Sequence, residues 1–301
     1  MALIDLAQRR VLIVAGKGGV GKSTVSAALA LTMAQRGRRV LCAEIIPSAE
    51  MPSQLATALG GPAPKEEPVQ IAANIWGALL TPTIGHLRFL QDALPLKILA
   101  DAALKSQGVR KFLSAAPGFS DMGVLYRLID LMRQTQPSGR PLFDLCIVDA
   151  PATGHALALA QIPEFLARVI PSGPIHRLAS SGVKVMSDPK TTAAVVVTLP
   201  ETLPVTEALE LEQGLARHGL PVSSIVVNRV PENPFTPDEE RLLEARGLIS
   251  RQLWGQREYL RILRSKAALQ LLQERTTGRC ILLPEVEGSG AVASANLAKR
   301  I

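Results

Sequence analysis

The chain has 301 residues, of which 47% are hydrophobic, 20% charged and 3% aromatic. A chain of this length and apolar content can bury a large core, which excludes a disordered tail, a disulfide-stapled small protein and a collagen-like fibre. The net charge is +7, but the segment between Arg241 and Cys280 holds nine basic and three acidic residues and so carries most of that excess. The nearly neutral remainder and the scarcity of aromatic residues argue against nucleic acid as a partner.

The sequence carries none of the usual signs of export or membrane insertion. No apolar run approaches the roughly 18 residues needed to cross a bilayer, and residues Met1 to Arg10 lack a secretory pattern. Three widely spaced cysteines, Cys42, Cys146 and Cys280, form no Cys-x-x-Cys motif and do not suggest a disulfide framework or a zinc site. We therefore expect a cytoplasmic protein.

The first predicted elements form a strand–helix–strand unit. Arg10–Ala15 is a short apolar run followed by glycine, which predicts a strand buried on both faces. Apolar residues then recur at helical spacing from Lys22 to Gln35, and Arg39–Ile45 returns to a strand pattern. Such a unit is typical of a parallel sheet covered by helices.

The next part of the chain, residues 51–136, shows few strand signals and is predicted to be a mainly helical insertion. Its candidate helices are Ile84–Leu94, Leu96–Ser106 and Met122–Arg133. Strand patterns resume at Phe143–Val148, Thr192–Leu199, Ser223–Asn228 and Cys280–Leu283, with helical segments near Ala156–Ile170, Val205–His218 and Pro237–Glu274 between them. This alternation predicts a doubly wound, mostly parallel α/β domain formed by residues 1–50 and 137–301.

The glycine-rich segment from Gly16 to Ser23 fits two phosphate-binding patterns. As G-x-G-x-x-G, with Glu44 at the end of the second strand, it would bind a dinucleotide and indicate a nicotinamide-dependent oxidoreductase. As G-x-x-x-x-G-K-S it is a P-loop, and only this pattern explains both Lys22 and Ser23. We therefore predict that ATP binds here, with Lys22 on its outer phosphates and Ser23 on Mg²⁺.

The predicted phosphate-binding loop extends into the helix that follows. Its backbone and side-chain contacts to the nucleotide would come from a continuous run of residues, Gly18, Gly19, Val20, Gly21, Lys22, Ser23 and Thr24. Glycine allows the backbone to approach the phosphates closely. Asp149, at the end of the strand Phe143–Val148, is predicted to hold the metal together with Ser23.

Several motifs resemble those of the ArsA-type ATPases, the family that includes arsenite-pump ATPases and ATPases that target tail-anchored proteins. Lys17 to Ser23, Lys-Gly-Gly-Val-Gly-Lys-Ser, is similar to the deviant Walker A motif, and Asp149 to His155, Asp-Ala-Pro-Ala-Thr-Gly-His, to the switch II segment. Further similar segments are Ala116–Gly118, Val197–Glu201, Val226–Asn228 and Leu282–Val286. The resemblance implies a P-loop NTPase fold, Mg²⁺-dependent ATP hydrolysis and a dimer that opens and closes with the nucleotide.

The same resemblance assigns roles to individual residues. Lys17 would reach the phosphates of the partner subunit, Asn228 would hydrogen-bond adenine, and Pro284 and Glu285 would line the base pocket. The dimer would be a homodimer or a heterodimer with an ArsA-like paralogue, and a protein cargo or a membrane would be a further partner. Arg257, Arg261 and Arg264 on one helix face are compatible with such a partner, but this pattern is more typical of a solvated helix face packed on the sheet.

One position departs from the family pattern. Where ArsA-type ATPases carry an acidic residue before proline, in the switch I segment, this chain has Ile46 before Pro47. An alkyl side chain cannot orient or deprotonate water, and Glu44 is the nearby carboxylate that could substitute for the missing one. We therefore expect tight Mg-ATP binding with slow hydrolysis by the isolated chain, a heterodimer whose partner supplies the carboxylate, or a pseudo-ATPase scaffold that does not hydrolyse ATP.

Overall fold

The computed structural model describes residues 9–93, 119–151, 156–158, 160–161, 172–247 and 254–301. Its centre is one eight-stranded sheet in the order β3-β4-β2-β5-β1-β6-β7-β8. The strands are β1 Val11–Gly16, β2 Val40–Ile45, β3 Val69–Ala72, β4 Ile75–Leu80, β5 Leu145–Asp149, β6 Thr192–Thr198, β7 Val222–Val230 and β8 Arg279–Pro284. Only β3 is antiparallel to its neighbour, so the carboxyl ends of the other seven strands share one edge of the sheet.

Helices cover both faces of this sheet. They are α1 Lys22–Gln35, α2 Gln54–Leu59, α3 Pro82–Ala93, α4 Phe119–Arg133, α5 Gly173–Ser187, α6 Thr202–Arg217, α7 Pro237–Ala245, α8 Gln256–Arg275 and α9 Gly290–Ala298. Buried residues of α1, α2 and α9 pack on one face, and buried residues of α3, α4, α5, α6 and α8 pack on the other. Because strand side chains alternate in direction, Leu12 and Val14 enter the first core while Val11 and Ile13 enter the second. None of the helices within the described residues is long and apolar enough to cross a bilayer.

The predicted doubly wound α/β class is confirmed. The predicted ends of six strands lie within about two residues of the observed ends, and these strands are β1, β2, β5, β6, β7 and β8. The predicted helix at Pro237–Glu274 is two helices, α7 and α8. The predicted helix at Leu96–Ser106, the segment Ala116–Gly118 and most of Ala156–Ile170 lie outside the described residues.

Residues 51–136, predicted to be mainly helical, also contain two strands that the sequence analysis did not predict. Strands β3 and β4 lie there, and β4 pairs with β2 in parallel, so this range extends the main sheet. The two strands are joined at Ala73 and Asn74, and Asn74 adopts the left-handed conformation with φ 60° that such a short turn requires. Helices α2, α3 and α4 also fall in this range, and its treatment as a separate insertion remains a prediction.

Helices α3 and α4 touch at two glycines. A Cβ atom at Gly85 would lie 1.8 Å from the carbonyl oxygen of Gly123, and one at Gly123 would lie 2.5 Å from that of Pro82. No side chain fits at either position, so the two backbones are in direct contact.

A fully buried arginine connects α4 to the loop before β3. The guanidinium of Arg127 donates to the carbonyl oxygen of Glu66 at 2.8 Å and pairs with the carboxylates of Glu67 at 2.9 Å and Asp130 at 2.5 Å. Burying an unpaired charge is costly, so these three partners stabilise the guanidinium of Arg127 in its buried position.

Candidate nucleotide-binding site

The loop between β1 and α1 has the backbone of a P-loop. Gly19 and Gly21 have φ of 84° and 91°, a conformation that side chains other than glycine rarely adopt. At the start of the loop, a Cβ atom at Gly16 would lie 2.2 Å from the carbonyl oxygen of Val197 in the neighbouring strand β6. Glycine is therefore required both for the turns of the loop and for its approach to the sheet.

Lys22 begins α1 and folds back over this loop. Its ammonium donates to the carbonyl oxygen of Lys17 at 2.9 Å. Burial lowers the pKa of Lys22, and the nearby charge of Asp149 opposes that shift. The ammonium thus lies beside the loop amides that would surround a phosphate group.

Ser23 and Asp149 meet at the carboxyl ends of β1 and β5, which are neighbouring strands. The Ser23 hydroxyl donates to Oδ2 of Asp149 at 2.5 Å, and Ser26 donates to Oδ1 at 3.4 Å. Asp149 is 4% exposed, and burial raises its pKa to about 6, against the hydrogen bond from Ser23 and with the help of the charge of Glu44. An adjacent hydroxyl and carboxylate are the hard oxygen donors that Mg²⁺ prefers, so these two residues fit the predicted metal.

A cavity of about 500 Å³ lies against these groups. One wall is formed by the loop and the start of α1, with Gly18, Gly19, Gly21, Lys22, Ser23 and Thr24. A second group of lining residues, here called the β2 wall, follows β2 and comprises residues 44–47, 51, 52 and 54. Residues 149–151 complete the lining. The volume is in the range of small-molecule sites, and the cavity gathers most of the residues predicted to bind phosphate and metal.

Ile46 and Glu44 both line the β2 wall, but Glu44 is already engaged. Ile46 is 7% exposed and places its alkyl side chain at this wall. The Glu44 carboxylate accepts hydrogen bonds from the Ser53 hydroxyl and from the backbone N–H of Gln54, the latter at 2.9 Å. Glu44 therefore fixes the beginning of α2.

Asn228 supports the loop from behind. Its side-chain amide donates to the carbonyl oxygen of Val20 at 2.9 Å, and Asn228 itself is buried. A Cβ atom at Gly21 would lie 2.3 Å from the same amide nitrogen, so the loop and Asn228 are closely packed. This role was missed by the sequence analysis, and the predicted contact with adenine remains a prediction.

A second cavity, of about 510 Å³, lies at the same edge of the sheet beyond β6 and β7. Glu285 lines it, as do Arg229, Arg261 and Arg264, and the Glu285 carboxylate pairs with Arg261 at 2.6 Å. Pro284 ends β8 immediately before Glu285. The predicted base-pocket residues are thus next to a cavity, but their contact with a base is untested.

Lys17 lies outside the group formed by Lys22, Ser23 and Asp149. Its ammonium pairs with the carboxylate of Glu207 in α6 at 2.6 Å, and the Lys17 side chain is 45% exposed. The structure therefore holds this lysine on its own chain. The predicted switch II residues from Thr153 to His155 lie outside the described residues.

A mostly parallel sheet with a P-loop after its first strand, and a serine and an aspartate together at its carboxyl edge, defines the class of P-loop nucleotide-binding proteins. Within this class, the family described as anion-transporting ATPases, the ArsA ATPases, matches residues 9–173 and 175–265. The chain belongs to this family, as the resemblance of its motifs predicted.

Three of the relatives that this chain resembles are named as ATPases. The ATPase BagA of Mycobacterium tuberculosis is 32% identical over 225 residues, which are 73% of this chain and 65% of BagA. The ATPase GET3C of Arabidopsis thaliana is 23% identical over 274 residues, 76% of this chain and 68% of that protein. The arsenical pump-driving ATPase of Acidiphilium multivorum is 27% identical over 235 residues, 73% of this chain and 39% of that protein. The match to BagA thus leaves about a third of that relative's length without a counterpart.

Proposed function

We propose that this chain binds Mg-ATP in the cavity between the P-loop and β2 and hydrolyses it to ADP and phosphate. The observation that carries this proposal is the meeting of Lys22, Ser23 and Asp149 at one end of a P-loop, on the wall of a single cavity. A dinucleotide site uses neither the lysine nor the hydroxyl, so we do not propose an oxidoreductase. Membership of a family of ATPases supports the same function.

Each residue of this group has a distinct task in the proposed reaction. The loop amides and the Lys22 ammonium would hold the β- and γ-phosphates, and would stabilise the charge on their oxygens during transfer. Ser23 and Asp149 would hold Mg²⁺, which when bound neutralises phosphate charge. The low exposure of Asp149 keeps its carboxylate fixed toward Ser23.

We further propose that hydrolysis by the isolated chain is slow. Ile46 occupies the position at which the resemblance to the family predicts a carboxylate, and the Glu44 carboxylate is already hydrogen-bonded to Ser53 and Gln54. A heterodimer with a paralogue that supplies the acid, or a scaffold that binds ATP without cleaving it, would be the consequence if nothing in this chain replaces it.

We propose that the active form is a dimer in which Lys17 reaches the nucleotide of the other subunit. The Lys17–Glu207 pair at 2.6 Å would then break when the dimer closes. Nucleotide-driven closure of such a dimer in the cytoplasm would present a surface to a protein or membrane partner.

Two measurements on the purified chain test the proposal. Titration with a fluorescent ATP analogue in the presence of Mg²⁺ should show saturable binding, and single-turnover assays with protein in excess should show slow release of phosphate. Absence of binding would overturn the function as a whole. A fast rate would overturn the role given to Ile46, and so would an Ile46→Asp variant that folds and binds ATP but gains no activity.

A further inference from the structure

The β2 wall of the cavity contains one polar side chain that the proposed function has not used. Gln54, the first residue of α2, lines the cavity together with Ile46 and Glu44. The side chain of Gln54 is exposed, and among the contacts of the described residues its amide group has no hydrogen-bond partner. It is therefore free to interact with whatever fills the cavity.

The backbone of Gln54, in contrast, is firmly held. Its N–H donates to Oε1 of Glu44 at 2.9 Å, and the preceding Ser53 caps α2 by accepting from the N–H of Ala56 at 2.9 Å. Glu44 is 5% exposed and lies opposite Asp149 in the register of β2 and β5. The buried carboxylate of Glu44 thus fixes the first residue of α2, and therefore the position from which the Gln54 side chain extends.

Gln54 lines the same cavity as Lys22, Ser23 and Asp149. A water molecule that attacks the γ-phosphate needs a neighbour that accepts one of its hydrogens and fixes its direction. A carboxamide has an acceptor oxygen and two donor hydrogens, and glutamine performs this task in other P-loop NTPases. The alkyl group of Ile46 cannot do so, and both oxygens of Glu44 already accept hydrogen bonds.

We infer that Gln54 is the residue that orients the attacking water, and that Glu44 is a positioning residue that acts by holding the start of α2. In this reaction the water oxygen forms a bond to the γ-phosphorus, and the bond from that phosphorus to the bridging oxygen breaks. The electron pair of that bond stays on ADP, and the water proton ends on the released phosphate. The inference rests on the proposed function and names the group that replaces the missing switch I carboxylate.

The test is single-turnover hydrolysis by the full chain with Mg-ATP, read beside ATP affinity. Gln54→Ala should lower the hydrolysis rate at least about tenfold, because positioning of the nucleophile is lost, while the affinity for ATP stays within about twofold since Gln54 holds no phosphate in this scheme. Thr57→Ala, an alanine substitution at an exposed residue of the same helix, is the matched control and should leave both quantities unchanged. Gln54→Glu, which keeps an acceptor oxygen, should retain a rate within about threefold of the original.

A double-mutant cycle tests the role of Glu44. Glu44→Gln should reduce the rate while leaving ATP affinity nearly unchanged, and it should have little further effect in a chain that already carries Gln54→Ala, because both changes remove the same orienting group. Additive losses would overturn the positioning role of Glu44.

The outcomes separate the inference from the proposed function. A Gln54→Ala chain that hydrolyses ATP at the original rate overturns the role of Gln54, and so does an unmodified chain that binds ATP and releases no phosphate. In both cases nucleotide binding stands. A chain without affinity for ATP overturns the proposed function, and the inference with it.

Discussion

The loop after β1 and the segment after β2 both follow buried strands and both line the same cavity, yet they present different chemical groups to it. The first carries Lys22 and Ser23 as the motif requires, with Asp149 hydrogen-bonded to Ser23. The second presents the alkyl side chain of Ile46 to the cavity, and its buried carboxylate, Glu44, anchors α2. In the proposed function, binding of a triphosphate and orientation of water therefore depend on segments that follow different strands.

The largest effect is expected from removal of Lys22, the lysine on the P-loop side of the cavity. Lys22→Ala should weaken ATP binding about 100-fold, since a charge-assisted contact to phosphate contributes up to about 3 kcal/mol. Fluorescence titration measures the loss, with Lys184→Ala, an exposed lysine of α5, as the control. Equal affinity in the Lys22→Ala and unmodified chains would contradict the P-loop assignment.

The Asp149 carboxylate predicts a pH dependence of stability in buffer without nucleotide or divalent metal. Its pKa is raised from 3.8 to about 6, mainly by burial, so the folded chain holds the proton more tightly than the unfolded chain does. Proton binding by Asp149 therefore makes its whole contribution to the free energy of unfolding below about pH 4. That contribution, about 3 kcal/mol, is lost as the pH rises through about 6.

Urea unfolding at several pH values tests this expectation. Asp149→Asn, which stays neutral, should lack that part of the pH dependence, and Asp238→Asn, an exposed aspartate of α7, serves as the control. If Asp149→Asn and the unmodified chain lose stability in parallel between pH 4 and 7, the carboxylate is not destabilised by its surroundings.

A smaller effect is expected behind the loop. Asn228→Ala removes the donor to the carbonyl oxygen of Val20 and leaves that acceptor without its partner, at a cost of about 1 kcal/mol, or about fivefold in ATP affinity. Asn233→Ala, on the exposed stretch that follows β7, controls for the substitution itself. An unchanged affinity would show that the loop does not depend on this hydrogen bond.

The smallest effect concerns Lys17, which lies on the P-loop but is bound to α6. Glu207→Gln removes an exposed ion pair, for which the expected gain is under about 1 kcal/mol, so ATP-dependent dimerisation should occur at up to about fivefold lower protein concentration. Sedimentation of this variant beside Glu210→Gln, on the exposed face of the same helix, measures the shift. Weaker dimerisation would indicate that Glu207 positions Lys17 for the dimer instead of restraining it.

The sequence predicted the structure of a segment correctly wherever the residues that determine it lie close together in the chain. The apolar run before Gly16, the spacing of the loop glycines and the helical pattern after Lys22 are contained in one short segment, and Asp149 follows from the end of a single strand. The short strands β3 and β4 were missed because their turn at Asn74 does not carry the usual glycine.

Contacts between distant segments could not be read from the sequence. Lys17 and Glu207 are 190 residues apart, and Asn228 reaches Val20 across 208 residues. Gln54 belongs to no sequence motif. Its place in the cavity is set by the hydrogen bond from its backbone N–H to Glu44. Such residues are identified only when the strand order brings their segments together.

The contact between Gly85 and Gly123 has a mechanical consequence for the helical region. Because no side chains separate the two helices at this point, α3 and α4 are packed together as one unit. Arg127 connects α4 to Glu66 and Glu67. A displacement of α4 would therefore have to move the loop before β3 as well, or it would expose the buried guanidinium. The outer edge of the sheet is therefore the place where a displacement of these helices would first be felt.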